Sequence, residues 1–323
     1  MRAVVCTSFG SPDVLEVHEI DKPTPADDEV LVRVRAASVN PADWYGVTGR
    51  PWVARPTMGF FKPKETRVGV DFAGTVEAVG KDVTQFRPGD EVFGGRSGAF
   101  AEYVCVREER AVVPKPANVT FEEAAAVPVA ALTALQGLRD KGQIQPGQKV
   151  LINGASGGVG TFAVQIAKSL GAEVTGVCST RNVDLARSLS ADHVIDYTRD
   201  DFTRSDRRYD LMLDVAGSRS WSECRRVLEP QATLVIVGAP KGSRLLGPLS
   251  HMVEVRLAAV RSSRKVVFFI AKFNKADMEV LRELLEAGTV TSVIDRRYAL
   301  SEIADALRYL GEGHAQGKIV LTV

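Results

Sequence analysis

Cysteine and histidine are scarce in this chain. Its 323 residues include four cysteines and four histidines, which are widely dispersed and form no C-x-x-C pair. A disulfide framework and a local zinc knuckle both need closely spaced cysteines or histidines, so neither is indicated. Cys6 and Cys178 lie in apolar, strand-like runs, where a cysteine usually acts as a small buried hydrophobic residue.

The chain also lacks an excess of charge and a long apolar run. Lys and Arg number 41 against 40 Asp and Glu, which gives no electrostatic reason to expect nucleic acid or an anionic membrane as a partner. The most apolar stretch, residues 124–135, contains Pro128 and is too short to cross a bilayer. The first residues predict a strand rather than a signal or transit peptide. We therefore expect a cytoplasmic protein that acts on a small molecule.

Two patterns of secondary structure follow one another along the chain. Up to about residue 118, short apolar runs separated by Gly/Pro turns predict a small β-rich barrel. Thr120 and Glu123 form a capping box that predicts the start of a helix. Apolar strands then alternate with helices, which predicts a parallel sheet covered on both faces. These six strands are predicted over residues 150–152, 173–178, 193–197, 209–217, 233–238 and 265–270.

The last part of the chain predicts helices over residues 277–288 and 301–310, followed by a strand over 319–323. We expect this strand to return to the sheet of the first domain. Residues 48–64 lack periodicity and predict a long loop, a class that is often functional. We expect a ligand cleft between the two domains, beside the carboxyl ends of the parallel strands.

A glycine-rich turn, residues 154–160, joins an apolar run to an amphipathic one. Its spacing, G-x-x-G-x-x-G, is a variant of the dinucleotide-binding fingerprint, in which a strand, a tight turn and a helix N-terminus bind a pyrophosphate. A turn of this kind can also serve packing alone. Four residues of the turn are expected to contact the cofactor: Ser156, Gly157, Gly158 and Val159.

Residues 178–182, at the end of the second parallel strand, contain no carboxylate. A site for NAD would carry Asp or Glu there to bind the ribose 2′-hydroxyl. Ser179, Thr180 and Arg181 instead offer hydroxyls and a guanidinium, which suit a 2′-phosphate, so we expect NADPH. Alternatively, the two hydroxyls cap the next helix and Arg181 is solvated. Tyr197 either flanks the adenosine phosphate or is an ordinary tyrosine at a strand end.

The chain resembles the zinc-independent quinone oxidoreductase branch of the medium-chain dehydrogenase/reductase superfamily. Six segments in the family's order carry the resemblance: Ala37–Trp44, Gly69–Val76, Arg87–Val92, Asn153–Gly160, Ala191–Tyr197 and Gly313–Lys318. The resemblance implies an α/β protein with a GroES-like β-rich barrel domain, residues 1–122 and 271–323. It also implies a doubly wound, parallel-sheet (Rossmann) domain that binds NADPH, residues 123–270.

The resemblance also implies a reaction without a metal. Zinc alcohol dehydrogenases have a cysteine where this chain has Asn40 and a histidine where it has Val70, so no catalytic zinc is expected. The expected reaction is hydride transfer from NADPH to a quinone or an α,β-unsaturated carbonyl. Asn40 and Tyr45 match positions that line the substrate site, where either side chain would hydrogen-bond the substrate carbonyl and Tyr45 would alternatively supply the proton. Both residues could instead be satisfied locally, and Asp43 is expected to be structural.

Several weaker expectations complete the prediction. Thr133 would contact the nicotinamide region, and Gly238 would let the cofactor pass closely. Four aromatic residues are expected either to form a wall against a planar acceptor or simply to pack together: Trp44, Trp52, Phe60 and Phe61. The sixth parallel strand would lie unprotected at a sheet edge, which favours a homodimer.

Two other functions remain open at this stage. One is an enoyl reductase that serves a specific biosynthetic enone, as in other members of the superfamily. The other is a non-catalytic NADPH-binding protein, like the lens crystallins recruited from this branch. The glycine turn, Asn40 and Tyr45 favour an enzyme.

Overall fold

The computed structural model describes residues 1–238, 248–260 and 262–323. The chain divides into two compact units, which we call unit 1 (Met1–Leu132 and Lys272–Val323) and unit 2 (Thr133–Ala271). The first division lies after Leu132 rather than after residue 122, because the helix at Phe121–Ala125 packs on strands of unit 1.

In the described part of the chain the strands are β1 (Arg2–Cys6), β2 (Leu15–Glu19), β3 (Glu29–Val39), β4 (Asp71–Val79), β5 (Glu91–Gly95), β6 (Tyr103–Arg107), β7 (Val112–Pro114), β8 (Lys149–Asn153), β9 (Glu173–Cys178), β10 (His193–Asp196), β11 (Tyr209–Asp214), β12 (Leu228–Ile236), β13 (Lys265–Phe268), β14 (Ile294–Ala299) and β15 (Lys318–Thr322). The helices are α1 (Pro41–Thr48), α2 (Arg55–Met58), α3 (Phe121–Ala125), α4 (Pro128–Leu135), α5 (Gly158–Ser169), α6 (Val183–Ser188), α7 (Trp221–Cys224), α8 (Pro248–Ala259), α9 (Lys275–Glu286) and α10 (Ile303–Glu312).

Unit 1 is built on a sheet with the order β14-β15-β3-β4-β5-β7, and β6 also pairs with β3. The final strand β15 pairs antiparallel with β3, which confirms that the end of the chain returns to the first domain. In the register, Ile319 lies opposite Val39 and Asp71 lies opposite Ser38. The end of β3 and the starts of β4 and β15 therefore lie side by side at the same end of the sheet, where the candidate active site lies.

Unit 2 is a parallel sheet with the order β10-β9-β8-β11-β12-β13. Numbered from its first strand, this is the order 3-2-1-4-5-6 of doubly wound nucleotide-binding folds. The central strand β8 and the following helix α5 are almost entirely buried because sheet and helices cover them from both sides. The predicted parallel sheet is confirmed, and β13 lies at its edge.

The structure adds elements that the pattern did not indicate. Strands β2 and β14 are mostly polar and partly exposed, so they lack the apolar runs on which the prediction depended. The predicted long loop at 48–64 contains a 3₁₀ turn, Trp52–Ala54, and the short helix α2. The helix α7 is short, Trp221–Cys224, because β12 already begins at Leu228.

No helix in the described ranges of the chain is long and apolar enough to cross a membrane.

The capping box at the start of α3 is present, with Thr120 Oγ1 accepting from the Glu123 N–H at 3.2 Å. Helix α9 is followed by Gly288 at φ +66°, a left-handed conformation that commonly ends a helix at a glycine.

Candidate active site and nucleotide site

Three strand ends of unit 1 place Asn40, Asp71 and Lys318 in one buried cluster. The Lys318 ammonium donates to Asn40 Oδ1 at 2.5 Å and to the Val39 carbonyl at 3.2 Å, and lies 3.5 Å from Asp71 Oδ2. Asn40 Nδ2 donates to Asp71 Oδ2 at 2.9 Å. All three side chains are almost completely buried. The Asn40 amide is thus held between a cation at its oxygen and a carboxylate at its nitrogen.

Asp43 adds a second carboxyl group to this cluster. It lies in the first turn of α1 and accepts the Asn40 backbone N–H at 2.7 Å, which is the capping role expected of it. Burial raises the pKa of Asp43 to about 7; the nearby Asp71 carboxyl group adds to this rise, and the hydrogen bonds from Asn40 and the Lys318 side chain oppose it.

Asp71 is the carboxyl group that faces Lys318 in the cluster. It accepts hydrogen bonds from Ser38 Oγ at 3.0 Å, Asn40 Nδ2 at 2.9 Å and the Val129 N–H at 3.1 Å. Burial raises its pKa, and the Lys318 ammonium and these donors oppose that effect. Burial also lowers the pKa of Lys318, and the Asp71 and Asp43 carboxyl groups oppose that effect.

Tyr45 lies on α1, directly beyond this cluster. Its ring is half-buried and meets the Trp44 ring edge-on, with centroids 5.3 Å apart. Burial raises the pKa of Tyr45, so the phenol carries its proton at neutral pH. Within the part of the chain that the structure describes, its hydroxyl forms no hydrogen bond. Tyr45 is therefore a protonated donor that is available to a ligand.

The residues at the position of the catalytic metal in zinc alcohol dehydrogenases do not fit a zinc ion. The Asn40 oxygen already accepts from the Lys318 ammonium, and a buried cation beside it opposes a second one. Val70, at the other expected ligand position, carries no donor atom. Among the described residues, no group of three or more His, Cys, Asp or Glu side chains is arranged to hold a metal.

The glycine turn in unit 2 has the shape that the sequence predicts. Gly154 has φ +92°, and a Cβ on Gly160 would lie 2.0 Å from the Gly154 carbonyl oxygen. Only glycine permits this approach. Gly157, Gly158 and Val159 are partly exposed, and their N–H groups lie at the N-terminus of α5, where a phosphate is favoured.

Asn182 organises two hydroxyls beside this turn, a role that sequence reasoning missed. Its Nδ2 donates to Ser156 Oγ at 2.8 Å and to Ser179 Oγ at 3.2 Å. Both serines accept these bonds, so their own protons remain available to a nucleotide. Among the described residues the buried Asn182 Oδ1 has no hydrogen-bond partner, which is costly unless a ligand satisfies it. These residues fit a bound dinucleotide.

A carboxylate that the sequence prediction overlooked lies at the end of β10. Asp196 pairs in register with Cys178 and accepts from Thr180 Oγ1 at 2.6 Å and Thr198 Oγ1 at 2.7 Å. Thr180 therefore donates its hydroxyl hydrogen bond to Asp196. Only the lone pairs of its oxygen remain, so Thr180 does not act as a hydrogen-bond donor to a phosphate. Asp196 could not be located from sequence spacing, because it belongs to the neighbouring strand rather than to the end of β9.

The other predicted cofactor residues are spread over unit 2. Arg181 is exposed in a 3₁₀ turn, Thr180–Asn182, and Tyr197 is 53% exposed directly after β10. Thr133 lies half-buried in α4, at the first residue of unit 2. A Cβ on Gly238 would lie 1.8 Å from the Val215 carbonyl oxygen, so packing alone requires this glycine. Contact of these residues with a cofactor stays a prediction.

The four aromatic residues proposed as a wall have different environments. Trp44 packs into the core beneath α10. Trp52, Phe60 and Phe61 are exposed by 49%, 64% and 87%. The Phe60 and Phe61 rings contact each other, with centroids 5.2 Å apart. Trp44 thus serves packing, and a role of the other three in binding an acceptor stays a prediction.

Comparisons with known proteins match both units. Residues 26–117 match a family model described as "Alcohol dehydrogenase GroES-like domain", and residues 189–321 match one described as "Zinc-binding dehydrogenase". The chain is 33% identical to a chloroplastic quinone-oxidoreductase QR1 of Triphysaria versicolor, over 99% of this chain and 98% of that protein. It is 31% identical to an NADPH-dependent alkenal/one oxidoreductase of Arabidopsis thaliana, over 99% and 79%. A quinone oxidoreductase structure from Coxiella burnetii superimposes with a TM-score of 0.85, at 29% identity over 100% and 99% of the two chains.

A β-rich GroES-like domain and a doubly wound nucleotide-binding domain define a two-domain oxidoreductase. With relatives of this identity along nearly its whole length, the chain belongs to the quinone oxidoreductase branch of the medium-chain dehydrogenase/reductase superfamily. This family consists of NAD(P)H-dependent enzymes, which confirms the expected family, fold class and enzyme class.

Proposed function

We propose that this enzyme uses NADPH to reduce a quinone or an α,β-unsaturated carbonyl without zinc. The observation that carries the proposal is the Asn40–Lys318 contact of 2.5 Å, which puts an ammonium and an amide where zinc enzymes have a metal ligand. Without a Lewis acid, the acceptor must itself be electrophilic enough to take a hydride. The names of the quinone and alkenal relatives support the same acceptors.

NADPH, when bound at the glycine turn, supplies a hydride to the acceptor. With an enone, the hydride adds to the β-carbon, the electron pair moves to the carbonyl oxygen, and a proton then completes the saturated ketone. We assign the Tyr45 hydroxyl to that oxygen, because it is protonated and forms no hydrogen bond within the described residues. Contact between Asn40 and the acceptor stays a prediction, since its amide already bonds Lys318 and Asp71.

A panel of quinones, alkenals and cyclic enones, assayed with NADPH and with NADH, tests this proposal. We expect oxidation of NADPH with at least one quinone or enone. NADPH binding without turnover of any acceptor would instead support a non-catalytic role. Activity confined to a single complex enone would support the dedicated enoyl reductase.

We expect Arg181→Ala to raise the KM for NADPH about tenfold or more and to leave the KM for NADH nearly unchanged. An arginine bound to the 2′-phosphate contributes a charge-assisted contact that NADH cannot make. Arg187→Ala is the matched control, because Arg187 is an exposed arginine on the neighbouring helix α6. Steady-state kinetics with both cofactors measure the effect, and equal changes for the two would remove Arg181 from the 2′-phosphate site.

We expect Tyr45→Phe to lower kcat for enones about tenfold or more, because the donor to the developing oxyanion is lost. The KM for NADPH should stay constant. Tyr309→Phe is the control, since its hydroxyl donates to Asp295 at 2.8 Å and has no proposed part in the reaction. An unchanged kcat with several acceptors would make Tyr45 a packing residue.

We also propose a cytoplasmic homodimer that pairs through the edge strand β13. Phe268 and Ile270 are exposed by 39% and 79% at this edge, and uncovered apolar edges favour pairing. Light scattering should give the mass of two chains. The mass of one chain would contradict the dimer.

A further inference from the structure

Unit 1 contains a cavity of about 500 Å³ whose lining includes three exposed arginines. Arg96 follows the end of β5, and Arg107 and Arg110 lie at the two ends of a turn after β6. In that turn the Arg110 N–H donates to the Arg107 carbonyl at 3.0 Å, which keeps the two residues close. A cavity of this volume suits a small organic ligand.

The acidic residues of the same turn are directed elsewhere. Glu108 accepts from the Thr84 and Gln85 N–H groups at 2.9 and 2.5 Å, and Glu109 accepts from Gln85 Nε2 at 3.0 Å. Neither glutamate lines the cavity. In the sequence Arg-Glu-Glu-Arg, the two arginines therefore line the cavity, whereas the two glutamates form hydrogen bonds with the neighbouring loop.

Little within the described residues neutralises these arginines. Arg107 lies 3.4 Å from Asp28, whereas Arg96 and Arg110 form no side-chain ion pair or hydrogen bond with a described residue. Glu29 is the one carboxylate among the described residues that line the cavity. Like charges gathered in a concavity repel one another, and an anion placed between them relieves that repulsion.

One wall of the cavity is apolar. A Cβ on Gly95 would lie 2.0 Å from the Phe273 ring, so this glycine lets the ring pack against the strand. Val70 lines the same cavity, and its carbonyl accepts the Arg96 N–H at 2.8 Å. It directly precedes Asp71 of the buried cluster, and Asp71 lies opposite Gly95 in the sheet. The cavity therefore has an apolar side next to the buried cluster and arginines elsewhere in its lining.

We infer that this cavity is an oxyanion-binding site that selects acceptors carrying a carboxylate in addition to their electrophilic double bond. The inference rests on the proposed function, because it concerns the acceptor of that reaction. A planar guanidinium binds a carboxylate in a bidentate manner, and Phe273 and Val70 contact the carbon chain. The site selects among acceptors and has no part in hydride transfer itself.

A pair of acceptors that differ only in charge tests the inference. A 7-oxo-8-nonenoic acid and its methyl ester, in which a saturated chain separates the carboxyl group from the enone, are assayed with NADPH, and we expect kcat/KM to be at least tenfold higher for the acid. In the double variant Arg96→Ala/Arg110→Ala this ratio should fall to near one while kcat/KM for the ester changes little. Arg87→Ala is the control, because Arg87 is an exposed arginine outside the cavity. It should keep the preference for the acid.

A binding measurement separates failure of this inference from failure of the proposed function. Inorganic phosphate and butyrate are titrated against the full chain without cofactor, and melting temperatures are compared between the wild type and the double variant. Stabilisation by either anion that the variant loses, without a preference for the acid, would support an oxyanion site filled by a free anion and overturn selection of the acceptor. Neither acid preference nor stabilisation would overturn the inference entirely.

Discussion

Replacing Asp71 by alanine should lower the free energy of unfolding by about 3–5 kcal/mol. The substitution leaves the buried Lys318 side chain without the carboxyl group it faces, and it removes the hydrogen bonds that Asp71 accepts from Ser38 Oγ, Asn40 Nδ2 and the Val129 N–H. Urea denaturation in a Trp221→Phe background measures the effect. The remaining tryptophans, Trp44 and Trp52, then report on unit 1 alone.

An exposed ion pair provides the control for Asp71. Asp13 pairs with Arg308, and their side chains are 63% and 46% exposed. Because water screens such a pair, Asp13→Ala should cost much less stability than Asp71→Ala. Asp71→Asn should be intermediate, since it keeps an acceptor oxygen but loses the charge. A cost for Asp71→Ala no larger than that for Asp13→Ala would show that the buried cluster contributes little to the stability of unit 1.

Replacing Gly160 by alanine should weaken NADPH binding about a hundredfold or more. The new Cβ would lie 2.0 Å from the Gly154 oxygen and 2.8 Å from Ala155 backbone atoms. Backbone atoms cannot move aside as a flexible side chain does, so the turn must open and its N–H groups lose their alignment. Forcing an extra methyl group into this packing should also destabilise unit 2 by roughly 1–3 kcal/mol. Fluorescence titration and thermal denaturation measure the two effects.

Gly157→Ala separates packing from cofactor binding in the same turn. The nearest atom to a Cβ at Gly157 is 3.6 Å away, so this variant should keep the stability of the wild type. NADPH binding should nevertheless weaken if the cofactor phosphates approach this turn as we propose, because the methyl group would then lie in their path. Unchanged NADPH affinity in Gly157→Ala would indicate that the turn serves packing and that the cofactor does not pass over it.

The doubly wound unit could be predicted from the sequence because the residues that indicate it lie close together in the chain. The strand β8, its glycine turn and the helix α5 lie within about 21 consecutive residues, from Lys149 to Ser169. Apolar runs, glycines and an amphipathic helix each report on backbone conformation at their own positions. The polar edge strands β2 and β14 were missed for the same reason, since their pairing depends on partners rather than on their own composition.

The buried cluster around Asn40 could not be predicted from the sequence. Lys318 and Asn40 are 278 residues apart, and only the pairing of β15 with β3 brings them together. The sequence marked Asn40 as a replaced metal ligand, but it gave no sign that an ammonium bonds its oxygen. Asn182 and Asp196 were overlooked because their importance comes from hydrogen bonds to Ser156, Ser179 and Thr180 across neighbouring strands and loops.

The sequence by itself determined the family, the two-domain architecture, the glycine turn and the missing cysteine and histidine ligands. These features depend on residue types at fixed local spacing, which physical chemistry restricts tightly. Only the tertiary structure decided which groups are charged, which hydroxyls keep a free proton and which arginines share a cavity. Those properties depend on burial and on partners far apart in the chain, because a group's electrostatics are set by its surroundings rather than by its neighbours in sequence.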